Sequence, residues 1–302
     1  MKKILRRNYI FVMLLLLSAC DKTTHLNGVR PIEVDFTDTV STSVLERLNP
    51  KSKPVYVAIS AMISPKETFV QYQKLLDYVA EKLGRKVILK QRKTYREINE
   101  LLKEGELDFS LICTGAYIEG KKEFPMSLLA VPLVNNEPYY QAYIITNKKN
   151  NYERLADLRN TKFAFTDPMS NTGCNYIKRY LAEGGIKAED FFGETIFTFA
   201  HDYSIDAVSK GIADAASIDG LIYEYMAKFY PKKIGQIKII HKSEKFGIPP
   251  FVYSANADPV LIQEIQNILL NMHNTGNGKK ILDNILIDKF ILGNEKIYEG
   301  YN

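Results

Sequence analysis

Residues 55–112 and 162–218 read as the same run of alternating elements, and that repetition constrains the fold more than any bulk property of the chain. In the first run, Val55 to Ile59 is a continuous apolar strand. Tyr72, Leu75, Leu76, Val79, Ala80 and Leu83 then recur at helical spacing until Gly84 stops the helix. Lys86 to Lys90 reads as a second strand, Thr94 and Glu97 have the spacing of a capping box ahead of Ile98, Leu101 and Leu102, Gly105 ends that helix, and Asp108 to Ile112 is a third strand. The second run predicts a strand at Lys162 to Phe165, a helix from Thr172 to Leu181, a strand at Thr195 to Phe199, a helix from Ser204 to Lys210 and a strand at Ala215 to Ile218. Both runs make the last helix-to-strand joint the same way, with Gly105-Glu106-Leu107-Asp108 in one and Gly211-Ile212-Ala213-Asp214 in the other. A β-α-β-α-β order belongs to a parallel sheet with helices on its faces, so the expectation is an α/β chain of two similar lobes.

Between the runs, Tyr140 to Asn147 is an alternating strand placed to cross from the first lobe to the second, and Ile237 to Lys242 is a candidate return crossing. Phe251 to Ser254 and helices starting near Asp258-Pro259 and Gly278 then complete the first lobe. The expected division is residues 52–139 with 243–302 in lobe 1, and residues 140–242, hinge strands included, in lobe 2. A chain that crosses twice makes a hinge, and a hinge between two α/β lobes closes on a ligand.

Ahead of the lobes, Lys2, Lys3, Arg6 and Arg7 precede an apolar run from Ile10 to Leu17 that ends in Leu17-Ser18-Ala19-Cys20. The run is too short to span a bilayer and has the layout of a secretory leader. It resembles bacterial lipoprotein signals, which implies a signal peptide over residues 1–19, lipidation of Cys20 and a membrane-tethered protein facing the periplasm or exterior. Residues 20–51, rich in Thr, Ser and Asp, read as the tether. Four of the 40 basic residues lie in the leader, leaving 36 against 35 acidic ones, which is no surface for nucleic acid. Cys113 and Cys174, the thiols that remain, are too few for a disulfide framework, and both are expected to be buried and free. His25, His201, His241 and His273 have no local spacing that suggests a metal site, and no cofactor is expected.

In open parallel sheets, ligands bind beyond the carboxyl ends of the strands. That rule selects Thr114, Gly115 and Tyr117 after one strand, Ser170 to Gly173 after another, His201 after the next and Asp219 after the last. Phe163 to Tyr176 reads FAFTDPMSNTGCNY, an apolar strand, a turn and small polar residues where a helix begins. The first-turn N–H groups of a helix lack intrahelical partners and carry partial positive charge, so such a turn can cradle a tetrahedral oxyanion, with Ser170, Asn171 and Thr172 adding side-chain donors. An ordinary N-cap explains the same residues. His201 equally suits a structural cap, Asp219 could cap the helix through Tyr223 and Met226, and Tyr140 could pack in the hinge.

Several of these segments carry a resemblance. Tyr140-x-x-Tyr143-Ile144-Ile145, Leu155-x-Asp157-Leu158, Phe163-Ala164-Phe165-x-Asp167-Pro168-x-Ser170-x-Thr172-Gly173, His201-Asp202, Gly211-x-x-Asp214-Ala215-Ala216 and Asp219 resemble the phosphate/phosphite/phosphonate-binding proteins of ABC importers. Ser243, Ile248-Pro249, Ile281-Leu282 and Phe290 fit the same pattern, and the similarity runs from about Val55 to Phe290. The resemblance implies a two-lobed type II periplasmic-binding fold, a monomer that captures a small phosphorus oxyanion and delivers it to permease transmembrane subunits, and no catalysis. By matching position, it implies that Ser170, Asn171, Thr172 and Gly173 hold the oxyanion, that His201 donates to it, and that Tyr140 and Asp219 line the opposite wall. Asn171 and Cys174 depart from the family's usual Ser-Thr-Ser-Gly-aromatic turn, and Ala61-Met62-Ile63-Ser64 lacks a tyrosine that some members use. No lysine or arginine lies in the matched segments, so neutral donors and helix-terminal charge would have to suffice. Two other classes of function fit the same residues. One is a sensory lipoprotein reporting to a membrane kinase; the other is a hydrolase using Ser170, His201 and Asp219, although no Gly-x-Ser-x-Gly elbow surrounds Ser170.

Overall fold

Strand β1 (Val55–Ile59) is buried along nearly its whole length, and it organises a six-stranded sheet around itself. The structure is a computed structural model describing residues 53–300, so the expected leader, Cys20 and the tether lie outside the described residues. With β2 (Val87–Lys90), β3 (Phe109–Leu111), β4 (Met126–Leu133), β12 (Phe251–Ser254) and β13 (Lys289–Ile291), the strand order is β13-β4-β12-β3-β1-β2. β1 pairs in parallel with β2 and β3, while β12 runs antiparallel to both β3 and β4. A second sheet, ordered β10-β6-β9-β7-β8, uses β6 (Ala142–Asn147), β7 (Lys162–Phe165), β8 (Glu194–Phe197), β9 (Ala215–Asp219) and β10 (Ile237–Lys242). Here β7 is parallel to β8 and β9, and β6 is antiparallel to β9 and β10.

Helices cover both faces of each sheet, which is why the strands read as apolar runs rather than alternations. Helices Pro65–Leu83 and Pro259–Asn271 pack on one face of the first sheet, and Tyr95–Lys103 packs on the other with Tyr117 and Tyr298. Local signals account for the helix ends. Thr94 and Glu97 form the capping box, and Gly84 closes its helix in the left-handed conformation that glycine adopts at least cost.

The two runs match in atomic detail. Gly105 and Gly211 both have positive φ, at 73° and 70°. Asp108 Oδ2 accepts from Tyr56 N at 2.7 Å, and Asp214 Oδ2 accepts from Lys162 N at 2.8 Å. Each aspartate therefore ties the third strand of its run to the first, in register.

Four elements differ from expectation. The segment Tyr140 to Asn147 is two strands, because Gln141 turns aside to donate to the Ser243 carbonyl. β5 (Tyr139–Tyr140) pairs with β11 (Phe246–Gly247) as a short ribbon between the sheets, and β6 is buried at all six positions instead of alternating. The helix expected from Thr172 begins as a π turn, Asn171–Asn175, before α-helix Tyr176–Glu183. The helix expected from Ser204 begins at His201, and Phe199, expected to end a strand, has φ 62° and ends it early. Among the described residues, no helix is long and apolar enough to cross a membrane.

Candidate functional site

The carboxyl ends of the parallel strands of both sheets face one another. Ser60 follows β1, Tyr95 opens the helix after β2, Thr114 follows β3, the π turn follows β7, His201 opens the helix after β8, and Asp219 ends β9. The two halves touch here. Asp202 Oδ1 accepts from Ser64 N at 2.9 Å, Asp167 Oδ2 accepts from Tyr95 N at 3.2 Å, His201 N donates to Met62 O at 2.9 Å, and Tyr230 OH donates to Glu67 Oε2 at 2.8 Å. Two of these contacts place a carboxylate of the second half at the N-terminal N–H groups of a helix in the first, where the helix dipole favours negative charge.

Six buried side-chain atoms at these strand ends have no hydrogen-bond partner among the described residues: Ser60 Oγ, Tyr95 OH, Tyr140 OH, Asn171 Nδ2, Thr172 Oγ1 and His201 Nε2. Each can donate. Buried polar atoms are normally paired, so unpaired donors gathered at one place call for an acceptor. The Tyr140 hydroxyl lies near Thr114, Asn171 and Cys113, and Tyr95 lies near Cys113, Asp167 and Tyr140, which ties the two phenols to the π turn.

Geometry sets the character of each group. His201 Nδ1 receives the Asp219 N–H at 3.0 Å and lies 3.0 Å from Thr166 Oγ1, so the ring proton belongs on Nε2. Burial pushes the imidazole down to about 3, which keeps it a neutral donor. Asp219 Oδ1 caps the following helix by accepting from Leu221 N at 2.7 Å, yet burial pushes its carboxyl up to about 7. Arg179 donates to Asn171 Oδ1 at 3.4 and 3.5 Å, which leaves the Nδ2 group as the one facing away from the guanidinium. This cation lies behind the amide, two turns along the helix from the matched segment, where the sequence reading found none.

The helix-terminus reading placed backbone N–H groups of the turn at the centre of the site, but some of them are already used. Ser170 Oγ accepts from Gly173 N at 2.9 Å, and Cys174 N and Asn175 N donate to Ser170 O at 3.1 and 2.9 Å. Ser170 is thus the cap of the turn, and the Asn171 and Thr172 side chains remain as donors. Gly173 is needed for packing, since a Cβ there would sit 2.6 Å from Thr166 Cβ and 2.9 Å from His201 Cε1. Thr114 Oγ1 donates to Gly247 O at 2.7 Å and braces the β5–β11 ribbon. Tyr117 points away from the strand ends: its hydroxyl donates to Glu295 and its ring packs on Tyr298 at 4.8 Å. Cys113 and Cys174 are buried free thiols, pushed up by burial to about 11 and about 12. Ser170, His201 and Asp219 form no relay, because the serine caps its own turn and the carboxylate caps Leu221.

A cleft of about 870 Å³ opens outward from Tyr140 and Asp219, walled by Tyr72 and Gln71 on one side and by Ile222 and Tyr225 on the other. Sequence reasoning missed Ser60, Gln71, Tyr72, Tyr95 and Arg179. Tyr95 alone carried a usable signal, being the first residue of a capped helix after a parallel strand.

Residues 57–298 match the family described as the periplasmic phosphonate substrate-binding protein of ABC transporters. The probable ABC transporter phosphite binding protein of Prochlorococcus marinus is 20% identical over 64% of this chain and 69% of its own length. The phosphonates-binding periplasmic protein of Escherichia coli is 24% identical over 50% of this chain and 46% of its own. In structure, a binding protein component of a Pseudomonas aeruginosa ABC phosphonate transporter superposes with a TM-score of 0.77 at 19% identity, covering 81% of this chain and 83% of that one. PhnD1 of Prochlorococcus marinus in complex with methylphosphonate gives 0.75 at 17% identity, covering 82% and 95%. At such identities the superpositions establish the type II periplasmic-binding-protein fold. The span of the family match establishes more: this chain belongs to the periplasmic phosphonate-binding proteins of ABC transporters.

Proposed function

We propose that this protein captures a phosphorus oxyanion, a phosphonate or its phosphite and phosphate analogues, between its two lobes and presents it to the transmembrane subunits of an ABC importer while tethered to a membrane through Cys20. The observation that carries the reading is the set of six buried donors without partners at the strand ends. A phosphonate or phosphite offers three oxygens and phosphate four, each able to accept two or more hydrogen bonds. Charge-assisted bonds at about 1.5–3 kcal/mol each make roughly 9–18 kcal/mol gross from six donors, against about 8 kcal/mol for micromolar binding, so the cradle suffices after ordering costs.

In this reading Asn171, Thr172, His201, Tyr140, Tyr95 and Ser60 donate to the oxyanion, Ser170 and Gly173 shape the turn, and Thr114 steadies the hinge. The first sheet with its helices is one lobe, the second sheet is the other, and the β5–β11 ribbon is the hinge. Asp219 selects among oxyanions, since a carboxyl beside an anion is tolerated when one partner holds a proton or when the ligand presents an ammonium group. Fully ionised sulfate offers neither, so it is excluded above about pH 7, where Asp219 has lost its own proton. The protein performs no chemistry on its ligand, a reading supported by the missing Ser170–His201–Asp219 relay.

A thermal-shift series above about pH 7 with methylphosphonate, phosphite, phosphate and sulfate tests the proposal. A ligand at about 100 times its Kd adds about 2.7 kcal/mol, which for a protein of this size raises Tm by roughly 5–10 °C. At least one phosphorus oxyanion is expected to do so and sulfate is not, and Thr172→Val should cut the shift sharply. If all four leave Tm unmoved, the proposal fails.

A further inference from the structure

The two halves meet closely around the donor cluster, yet the cleft beyond it holds about 870 Å³, near the upper end of what a drug-sized ligand fills. A methyl substituent would occupy little of that space. We infer that the receptor takes phosphorus monoanions and dianions carrying a bulky, apolar-bodied substituent that is neutral or cationic, with the substituent seated in this cleft. The inference rests on the reading of the donor cluster as an oxyanion cradle and specifies the rest of the ligand.

Three features of the cleft point to that chemistry. It adjoins the cradle, because Tyr140 lines the cleft while its hydroxyl lies near Asn171, and the Tyr140 ring stands between the two. Its walls supply Tyr72, Tyr143 and Tyr225 together with Ile222, Ile248 and Ile287, surfaces that gain from covering apolar area and whose ring faces attract cations. Its lining also carries five carboxylates; Glu137 pairs with Lys245 and Asp283 with Lys279, which leaves Asp219, Glu224 and Asp288 against Lys228. A second anionic group on the ligand would meet that acidic excess, so carboxylated or polyphosphorylated substituents are disfavoured.

The outer part of the cleft can be filled without touching the cradle. Ala227 lines the cleft eight residues beyond Asp219, about 12 Å along the helix. Calorimetry on the wild type with methylphosphonate, 4-phenylbutylphosphonate, 4-phenylbutyl phosphate and 6-phosphonohexanoate, repeated on Ala227→Trp and on the milder Ala227→Leu, separates the parts. Phenylbutylphosphonate should bind about tenfold tighter than methylphosphonate, and phosphonohexanoate at least about tenfold weaker than phenylbutylphosphonate. Ala227→Trp should erase the phenylbutyl advantage and Ala227→Leu reduce it, with methylphosphonate affinity held within about twofold. The ester distinguishes the natural source: equal affinity admits phosphate monoesters, and a large loss restricts the site to phosphonates. The inference is overturned if phenylbutylphosphonate binds no tighter than methylphosphonate, if its advantage survives in Ala227→Trp, or if phosphonohexanoate binds as well. Failure of all four phosphorus ligands to bind would instead remove the cradle reading, and this inference with it.

Discussion

In the proposed reading, Asp219 is the residue on which ligand choice turns. Its Oδ1 is committed to capping Leu221, it sits beside Tyr72, and burial without a paired cation pushes its carboxyl from 3.8 up to about 7. In the folded protein alone the sign is destabilising: the folded state holds the proton more tightly than the unfolded chain, so stability from this group falls as pH rises from the ordinary carboxyl range toward 7. Ligand binding should follow the same proton. Below about 7 the group is neutral and can donate to an oxyanion; above it, the carboxylate repels one. Affinity for methylphosphonate, which carries no ammonium group, is therefore expected to fall with rising pH, approaching tenfold per unit above about pH 7. Asp219→Asn should lose that component and keep only the part due to the ligand's own ionisation, which both proteins share. Calorimetry from about pH 5.5 to about 8.5 checks this, and parallel wild-type and Asp219→Asn profiles would refute it.

At the scale of elements, the local signals were legible and the convergent ones were not. Strands β1, β7 and β10 were read at their observed ends, the Thr94–Glu97 box forms as its spacing implies, and the repeated Gly-x-x-Asp joint proves to be a repeated strand tie. These depend on neighbours within a few residues. The donor set does not: Ser60, Tyr95 and Arg179 matter because of what long-range pairing brings beside them, and no periodicity marks them. Tyr117 was misplaced for the converse reason, since three residues after Thr114 on a helix it faces the core cluster of Tyr298. The π turn escaped because its widening follows from packing, with Gly173 pressed against Thr166 and His201. Gly173→Ala would drive a methyl into both, an overpacking cost of about 1–3 kcal/mol. Thermal unfolding should fall by roughly 2–10 °C, and phosphonate affinity should fall as well because His201 is displaced. An unchanged Tm would contradict the packing described.

For the whole molecule, the decisive property is that the cradle is assembled from both halves. Ser60, Tyr95 and Tyr140 come from the first sheet or the β5–β11 ribbon, and Asn171, Thr172 and His201 from the second, so in the proposed reading neither half alone would hold the oxyanion. Bringing these donors out of water costs about 1–3 kcal/mol each unless an acceptor meets them, which makes ligand and closure mutually dependent. Gly115 offers a way to separate closure from folding. It sits in the first turn of helix Thr114–Glu123, and a Cβ there would lie 2.1 Å from Met169 O and 2.9 Å from Asn171 N, both backbone atoms of the opposite half. Backbone cannot move aside as a side-chain tip can, and alanine is otherwise favourable in a helix. Gly115→Ala is therefore expected to fold with Tm near that of the ligand-free wild type while holding the lobes apart. Methylphosphonate affinity should drop by at least about tenfold, because the ligand must then bind with one wall of its cradle withdrawn. Small-angle scattering supplies the independent readout: the wild type should contract when methylphosphonate is added, and Gly115→Ala should not. A variant that contracts and binds like the wild type would show that the close approach of Gly115 to the π turn plays no part in closing the cleft.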